Sequence, residues 1–177
     1  MILPSRPIGV VLAISLRCVA GIEGTPEYEI KGAYLYNFAK FVEWPRGDLR
    51  TAFTICLYGR NPFEGFLEEA VRGKLVHDLP IKIQRISGAG ENWDACNLMF
   101  FGTASRAKVQ SVLDRLRGRG VITIGESQAF AECGGMITLV VEGDRVRFDI
   151  NLQAATDAHL KISSKLLELA RTVKSGG

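Results

Sequence analysis

The 177-residue sequence predicts an α/β fold. The expected architecture is a single-domain three-layer sandwich: a mainly parallel sheet of about six strands, ending in an antiparallel hairpin, with helices on both faces. Three observations carry this. Short apolar runs alternate with helical patterns between residues 52 and 124, as they do in right-handed βαβ units. The alternation stops at Glu142-Gly143-Asp144, a turn signal between two strand-like runs. With 47% apolar and 23% charged residues, the chain has the composition of a globular domain long enough to bury a proper core.

The first twenty residues stand apart. Arg6 marks a basic start, residues 8–16 form a short apolar run, and Cys18-Val19-Ala20 precede a cut at Gly21. This is the pattern of a secretory signal peptide over 1–20, ahead of one domain over 21–177; the run is far shorter than the roughly 20 residues that span a bilayer. Arg17 stands where a lipoprotein signal wants a small residue, so Cys18 is not read as lipid-bearing. Removing residues 1–20 takes away Arg6 and Arg17 and no acid, leaving 20 basic against 19 acidic residues, a charge of +1. That balance gives no support to nucleic-acid binding.

A helix is expected over 26–44. Thr25 is placed to cap it, Pro26 suits the first helical position, and Pro45 pushes Trp44 out of the α region. Only Glu29, Gly32, Tyr36, Lys40 and Glu43 read as a polar face. Ile30, Ala33, Tyr34, Leu35, Phe38, Phe41 and Val42 cover the rest, so this helix is expected to be buried on more than one side. Residues 52–58 form a strand. Asn61-Pro62 then caps a helix carrying Phe63, Phe66, Leu67 and Ala70, ending near Gly73. Residues 79–86 alternate as a strand with one wetter side does, 88–94 are a loop, and 97–101 are a short buried strand. A helix over 105–117 turns Val109, Val112, Leu113 and Leu116 inward, and 121–124 make a fourth strand. In the hairpin, 136–141 with 145–151, Val146, Phe148 and Ile150 face in while Arg145, Arg147, Asp149 and Asn151 face out. A last helix from Ser164 presents Leu166, Leu169, Ala170 and Val173 on one face, and residues 174–177 fray.

Three cysteines follow the leader: Cys56, Cys96 and Cys133. An oxidising compartment predicts one pair and one remaining thiol. Cys56 lies in the strand 52–58 and Cys96 opens the run expected beside it, so these two are paired, with Cys96 in the incoming loop to satisfy disulfide geometry. Closing about 40 residues stabilises by about 3–4 kcal/mol in the chain-entropy model. Cys133, beside Gly134-Gly135, is left as a buried or intermolecular thiol.

Three stretches carry a family resemblance. They are Lys31 to Pro45; Ala131-Glu132-Cys133-Gly134-Gly135-Met136-Ile137 leading into Arg145-Val146-Arg147-Phe148-Asp149-Ile150-Asn151; and Leu160-Lys161-Ile162-Ser163-Ser164-Lys165-Leu166-Leu167. Together they resemble the YfiR/HmsC-like family of bacterial periplasmic proteins over nearly all of the chain after residue 25. The resemblance supports the Cys56–Cys96 pairing, since family members often carry cysteines at these two places. It implies a periplasmic regulator, not an enzyme. Such a protein binds the periplasmic segment of an inner-membrane diguanylate cyclase and holds it inactive, lowering cyclic-di-GMP and biofilm formation. It also implies an outer-membrane lipoprotein that sequesters the regulator; the regulator reading carries the expectation of a homodimer.

No cofactor or metal is implied by the residues. His77 and His159 are distant and offer no ligand spacing. Three strands end in glycine and run into helices, bringing Gly59 and Asn61, Gly102 and Ser105, and Gly125 and Ser127 to the carboxyl edge of the sheet. That edge is where α/β proteins bind ligands, so a small-ligand crevice is one reading; tight strand-to-helix turns are the other. No phosphate-cradling glycine motif occurs, and Gly88-Ala89-Gly90 lacks the third glycine. Gly125-Glu126-Ser127-Gln128-Ala129 loosely resembles a nucleophile elbow, and a hydrolase built on Ser127 and His159, with Asp149 or Asp157, is a third reading; a helix cap is the plainer role of Ser127. Glu68-Glu69 and the basic residues Arg106, Lys108, Arg115, Arg117 and Arg119 read as solvated helix faces. For partner binding the candidates are Tyr36, Lys40, Phe41, Trp44, Lys165 and Leu167, because aromatics on wet faces anchor interfaces. Trp44 and Leu167 have the core as their competing role.

Overall fold

The structure is a computed structural model that describes residues 26–44, 51–87, 93–102 and 104–176. The expected signal peptide, the Thr25 cap, Pro45 and most of the 88–94 loop lie outside the described residues. The sequence alternation becomes a real sheet. β2 (Phe53–Tyr58), β5 (Leu98–Phe101), β6 (Ile122–Gly125) and β7 (Ile137–Glu142) run parallel side by side, and β4 (Leu79–Ile86) lies parallel to β2 on its other flank. β8 (Arg145–Asn151) closes the hairpin with β7, with Glu142 opposite Arg145. Two short strands complete eight: β3 (Leu75–Val76), antiparallel to the start of β4, and β10 (Thr172–Lys174), parallel to β8.

The pleat sends alternate residues to opposite faces, and each face has its own helices. Phe53, Ile55 and Leu57 of β2 join Leu98, Phe100, Ile122 and Ile124 in one core cluster. This side is covered by α1 (Pro26–Phe41), α2 (Phe66–Val71), α5 (Leu152–Asp157) and α6 (Ser164–Leu169), through Leu35, Phe38, Leu67, Ala155 and Leu166. Cys56, Met99 and Phe101 face the other way, onto Val109, Val112 and Leu116 of α3 (Arg106–Leu116) and Phe130 of α4 (Gln128–Glu132). The result is the three-layer α/β arrangement with a hairpin at one side.

Cys56 and Cys96 are disulfide-bonded, with Cα atoms 5.8 Å apart. Cys96 sits in the incoming turn, just after a 3₁₀ turn over Trp93–Ala95, and Asn97 locks the same place: its Oδ1 accepts the Thr54 N–H at 2.9 Å while its own N–H donates to the Thr54 carbonyl at 2.9 Å.

Several element ends differ from expectation, each for a tertiary reason. The first helix stops at Phe41, not Trp44, because Val42 and Glu43 leave it as β1 (Val42–Glu43) to pair antiparallel with β9 (Lys161–Ile162). Its wet face is also rotated. Gly32 is buried, and a Cβ placed there would touch the Leu67 Cα and the Phe66 carbonyl at 3.5 Å, so α2 crosses where a polar face was expected. Glu29 and Lys40 are exposed as expected, but Ile30, Ala33 and Asn37 complete the wet face of the helix in place of Gly32 and Tyr36. α2 begins at Phe66 after Gly65 in a positive-φ conformation; Asn61 does not cap it but turns the chain by accepting the Phe63 N–H at 3.0 Å. The last helix ends at Leu169. Ala170 is extended, the Arg171 N–H donates to the Phe148 carbonyl, and Thr172–Lys174 form β10 where the helix was expected to continue, with Lys174 in the strand rather than in a frayed end. Leu169 and Val173, expected inward, are 64% and 39% exposed.

Candidate functional site

The six proposed partner-binding residues are not equivalent in the fold. Tyr36 is half-buried on the flank of α1, and its hydroxyl lies 3.5 Å from the Leu75 carbonyl. The ammonium groups of Lys40 and Lys74 both stand over its ring, at 5.4 and 4.7 Å from the centroid. Lys40 belongs to the expected set. Lys74 and the 52%-exposed Leu75 do not; both enter only because β3 folds back beside α1. Cations over an aromatic face gain electrostatically, yet two like charges gathered on one ring also repel. Among the described residues no carboxylate pairs with either lysine. The patch therefore carries an uncompensated positive charge beside exposed apolar surface.

Phe41, Trp44 and Leu167 are half-buried too, and each is tied into the fold. The Phe41 carbonyl accepts the Ser163 N–H at 2.9 Å, which sets the start of α6 beside the end of α1. Leu167 packs against the α1-side core. The Trp44 indole donates to the Gly120 carbonyl at 2.7 Å and meets Phe53 and His77 edge-on, at 5.3 and 5.9 Å. Its satisfied N–H and its packing make it largely a structural residue. Lys165 is exposed on α6.

At the carboxyl edge the glycine turns are filled by the protein itself. A Cβ at Gly102 would sit 1.9 Å from the Arg60 carbonyl oxygen, and one at Gly125 would sit 2.5 Å from the Phe130 ring. Close backbone and ring approach is thus the reason for glycine at both places. The Gly102 N–H donates to the Tyr58 carbonyl. Gly59 has a φ of 82°, where glycine costs least. Ser105 precedes α3 without capping it through its side chain, while Ser127 caps α4 by accepting the Phe130 N–H at 3.1 Å. Ser127 and His159 do not meet. Ser127 follows the end of β6, whereas the Ala158 carbonyl lies 3.9 Å from the Cβ position of Gly120, just before the start of β6. A four-residue strand of about 3.3 Å per residue separates the two ends.

A polar cluster that sequence reasoning missed ties α1 to the sheet. Lys31 is only 3% exposed; its ammonium is paired with Glu27 one turn earlier and with Glu126 at 2.5 Å. The Tyr28 hydroxyl donates to Glu126 at 3.1 Å. Burial pulls the Lys31 ammonium down, but hydrogen bonds to Glu126 and Glu27 outweigh it and leave the pKa above the ordinary lysine range. Burial, then the Glu126 charge, raises Tyr28. The Glu27–Lys31 spacing was legible as a helical pair; Glu126, 95 positions away, was not. A second network holds β10: Arg171 binds Asp149 at 2.5 Å and Glu142 at 2.5 Å, and Thr172 donates to Asp149 at 2.7 Å. The Arg171 hydrogen bond, followed by that from Thr172, holds the Asp149 carboxyl below its usual range despite partial burial.

Among the described residues, no group of three or more His, Cys, Asp or Glu side chains is placed to hold a metal ion, and no helix is long and apolar enough to cross a membrane. Cys133 is a partly exposed free thiol, its sulfur 4.0 Å from the Arg106 carbonyl.

Among solved structures, the chain is similar to the ABC domain in complex with L-Trp from Streptococcus pneumonia, with a TM-score of 0.48 and 12% identity. The alignment covers 69% of this chain and 55% of that one, so the chain spans about half the length of that protein. The sequence pattern of the YfiR/HmsC-like family, periplasmic regulators of diguanylate cyclase signalling, matches residues 28–171. That span runs from the first turn of α1 to the residue before β10 and takes in both core clusters. This chain belongs to the YfiR/HmsC-like family.

Proposed function

We propose that this protein represses an inner-membrane diguanylate cyclase by binding its periplasmic segment, which lowers cyclic-di-GMP and biofilm formation. The reading rests on one observation above the others: the family pattern extends over residues 28–171, nearly the whole of the described fold, so what is shared is the entire scaffold. The Tyr36 patch supports it. An aromatic flanked by two cations that have no carboxylate partner among the described residues, next to exposed Leu75, is suited to a protein partner of complementary charge. Repression would be a population shift, the regulator binding the inactive cyclase better than the active one. An outer-membrane lipoprotein that competes for the regulator would release the cyclase, and the regulator would act as a homodimer.

The test is binding of the leaderless protein to the periplasmic segment of a membrane diguanylate cyclase from the same organism. Tyr36→Ala and Lys40→Glu are expected to weaken binding by about tenfold each, the loss of an interface anchor. Lys40→Glu, at an exposed position, should leave the melting temperature unchanged, while Tyr36→Ala should lower it somewhat because the ring also packs against the core. Trp44→Ala is a poor probe, since it removes a core contact as well. Binding that is indifferent to Tyr36 and Lys40 would move the interface elsewhere.

A further inference from the structure

The sheet has an open edge beside the Tyr36 patch. β4 pairs with β2 along Ile81–Ile86, but β3 covers its other side only at Leu79 and Pro80. Among the described residues nothing pairs with the outer edge of 81–86, so alternate residues there aim their N–H and C=O groups outward, a template for another strand. Open edges are often guarded by proline. Pro80 sits inside the β3 pairing, however, and leaves the free stretch unguarded.

A groove of about 570 Å³ runs along this edge. Ile81 and Ile83, both partly exposed, form its floor; α2 is one wall through Val71 and Arg72; Lys74 and Leu75 close one end and Arg85 the other. The ionic lining is Glu68 against Arg72, Lys74 and Arg85. Arg72 is engaged by Glu69, while among the described residues no carboxylate meets Lys74 or Arg85. Lys74 is the same residue that stands over Tyr36, which makes groove and patch one continuous surface.

We infer that the groove takes an extended acidic segment of the protein partner, added as a strand to the free edge of β4. Backbone hydrogen bonds to 81–86 would supply affinity. Apolar side chains at every second position would enter over Ile81 and Ile83, and acidic ones would meet Lys74 and Arg85. The occupant is acidic because, with Arg72 held by Glu69, Lys74 and Arg85 stand against the single carboxylate of Glu68 among the described lining residues, which leaves the groove net positive. This inference rests on the regulator reading and specifies how the partner is held.

Hydrogen exchange on the intact protein, alone and with the cyclase's periplasmic segment, tests it together with the variants Lys74→Glu and Arg85→Glu, both at exposed positions. The expected result is slower exchange at 81–86 in the complex, affinity reduced about tenfold or more by the paired reversal, and weakening as salt is raised. Lys108→Glu, on α3 across the sheet, should leave binding unchanged. Binding with no protection at 81–86 and no response to the reversals overturns the inference while leaving the regulator reading in place. Protection at 81–86 that depends on protein concentration without partner also overturns it, since the occupant is then a second copy. No binding at all contradicts the regulator reading and takes the inference with it. If a reversed variant fails to fold, exchange and salt dependence of the unaltered protein still decide.

Discussion

At the level of single residues, much of what looks functional is steric. Gly102 and Gly125 stand where a ligand crevice was conceivable, yet their missing side chains make room for the Arg60 carbonyl and the Phe130 ring. Gly102→Ala must push backbone aside and is expected to cost about 2–3 kcal/mol, as overpacking does. Gly32 is the contrasting case. Its Cβ position has only ordinary contacts at 3.5–3.6 Å and lies inside a helix, so Gly32→Ala should be neutral or stabilise by up to about 1 kcal/mol. Denaturant titration of the two variants checks both signs at once. Lys31 makes a different prediction. Its carboxylate partners keep side-chain exposures of 36% and 21%, so Lys31→Met should cost about 1–3 kcal/mol, below the penalty for orphaning a fully buried charge. A loss above about 5 kcal/mol would mean the cluster is drier than its exposure implies. Residue roles were legible where chemistry is local, as at the Ser127 cap. They were hidden where a partner arrives from far along the chain, as Glu126 does for Lys31.

Elements with a period to read were recovered, and those without one were not. β4 and β8 match their expected residues, because alternation over eight and seven residues is a strong signal. β1, β3 and β9 have two residues each, too few for any period, and exist through their partners alone. The first of them shortened α1, since pairing Val42 with Ile162 outweighs one more helical turn. β10 was misread as helix because Leu166, Leu169 and Val173 fit a helical spacing, whereas Arg171 pins the chain to β8 and the hairpin. That pin is acid-sensitive. The Asp149 carboxyl titrates below its unfolded value of about 3.9 through the Arg171 and Thr172 hydrogen bonds. Its contribution is therefore present above that value and lost as pH falls through the lower folded one. Hydrogen exchange at 172–174 should quicken as pH drops from about 5 towards 3, after correction for the intrinsic rate. Asp149→Asn should be fast already at neutral pH. Equal protection in the two proteins would show that β10 is held by its backbone ladder alone.

For the whole molecule, the α/β class, the parallel sheet, the hairpin and the Cys56–Cys96 bridge were all legible, since each follows from patterns that repeat or from a pairing with one sensible geometry. The proposed interaction surface was only half legible. Tyr36 and Lys40 lie on a helix whose pattern can be read, but Lys74, Leu75 and the free edge of β4 join them through the fold. The bridge spans 40 positions between buried cysteines and should stabilise by about 3–4 kcal/mol. A Cys56→Ser, Cys96→Ser variant is thus expected to melt lower and to bind its partner more weakly, through loss of the competent fold. An unchanged melting temperature together with unchanged binding would remove any redox role. The central claim is that the scaffold shared with the family serves to hold a cyclase. Its most direct test is the affinity of the oxidised, leaderless protein for the periplasmic segment of the membrane diguanylate cyclase. The account predicts tight binding that falls about tenfold on Tyr36→Ala and further with the disulfide reduced. An absence of binding in both redox states would contradict it.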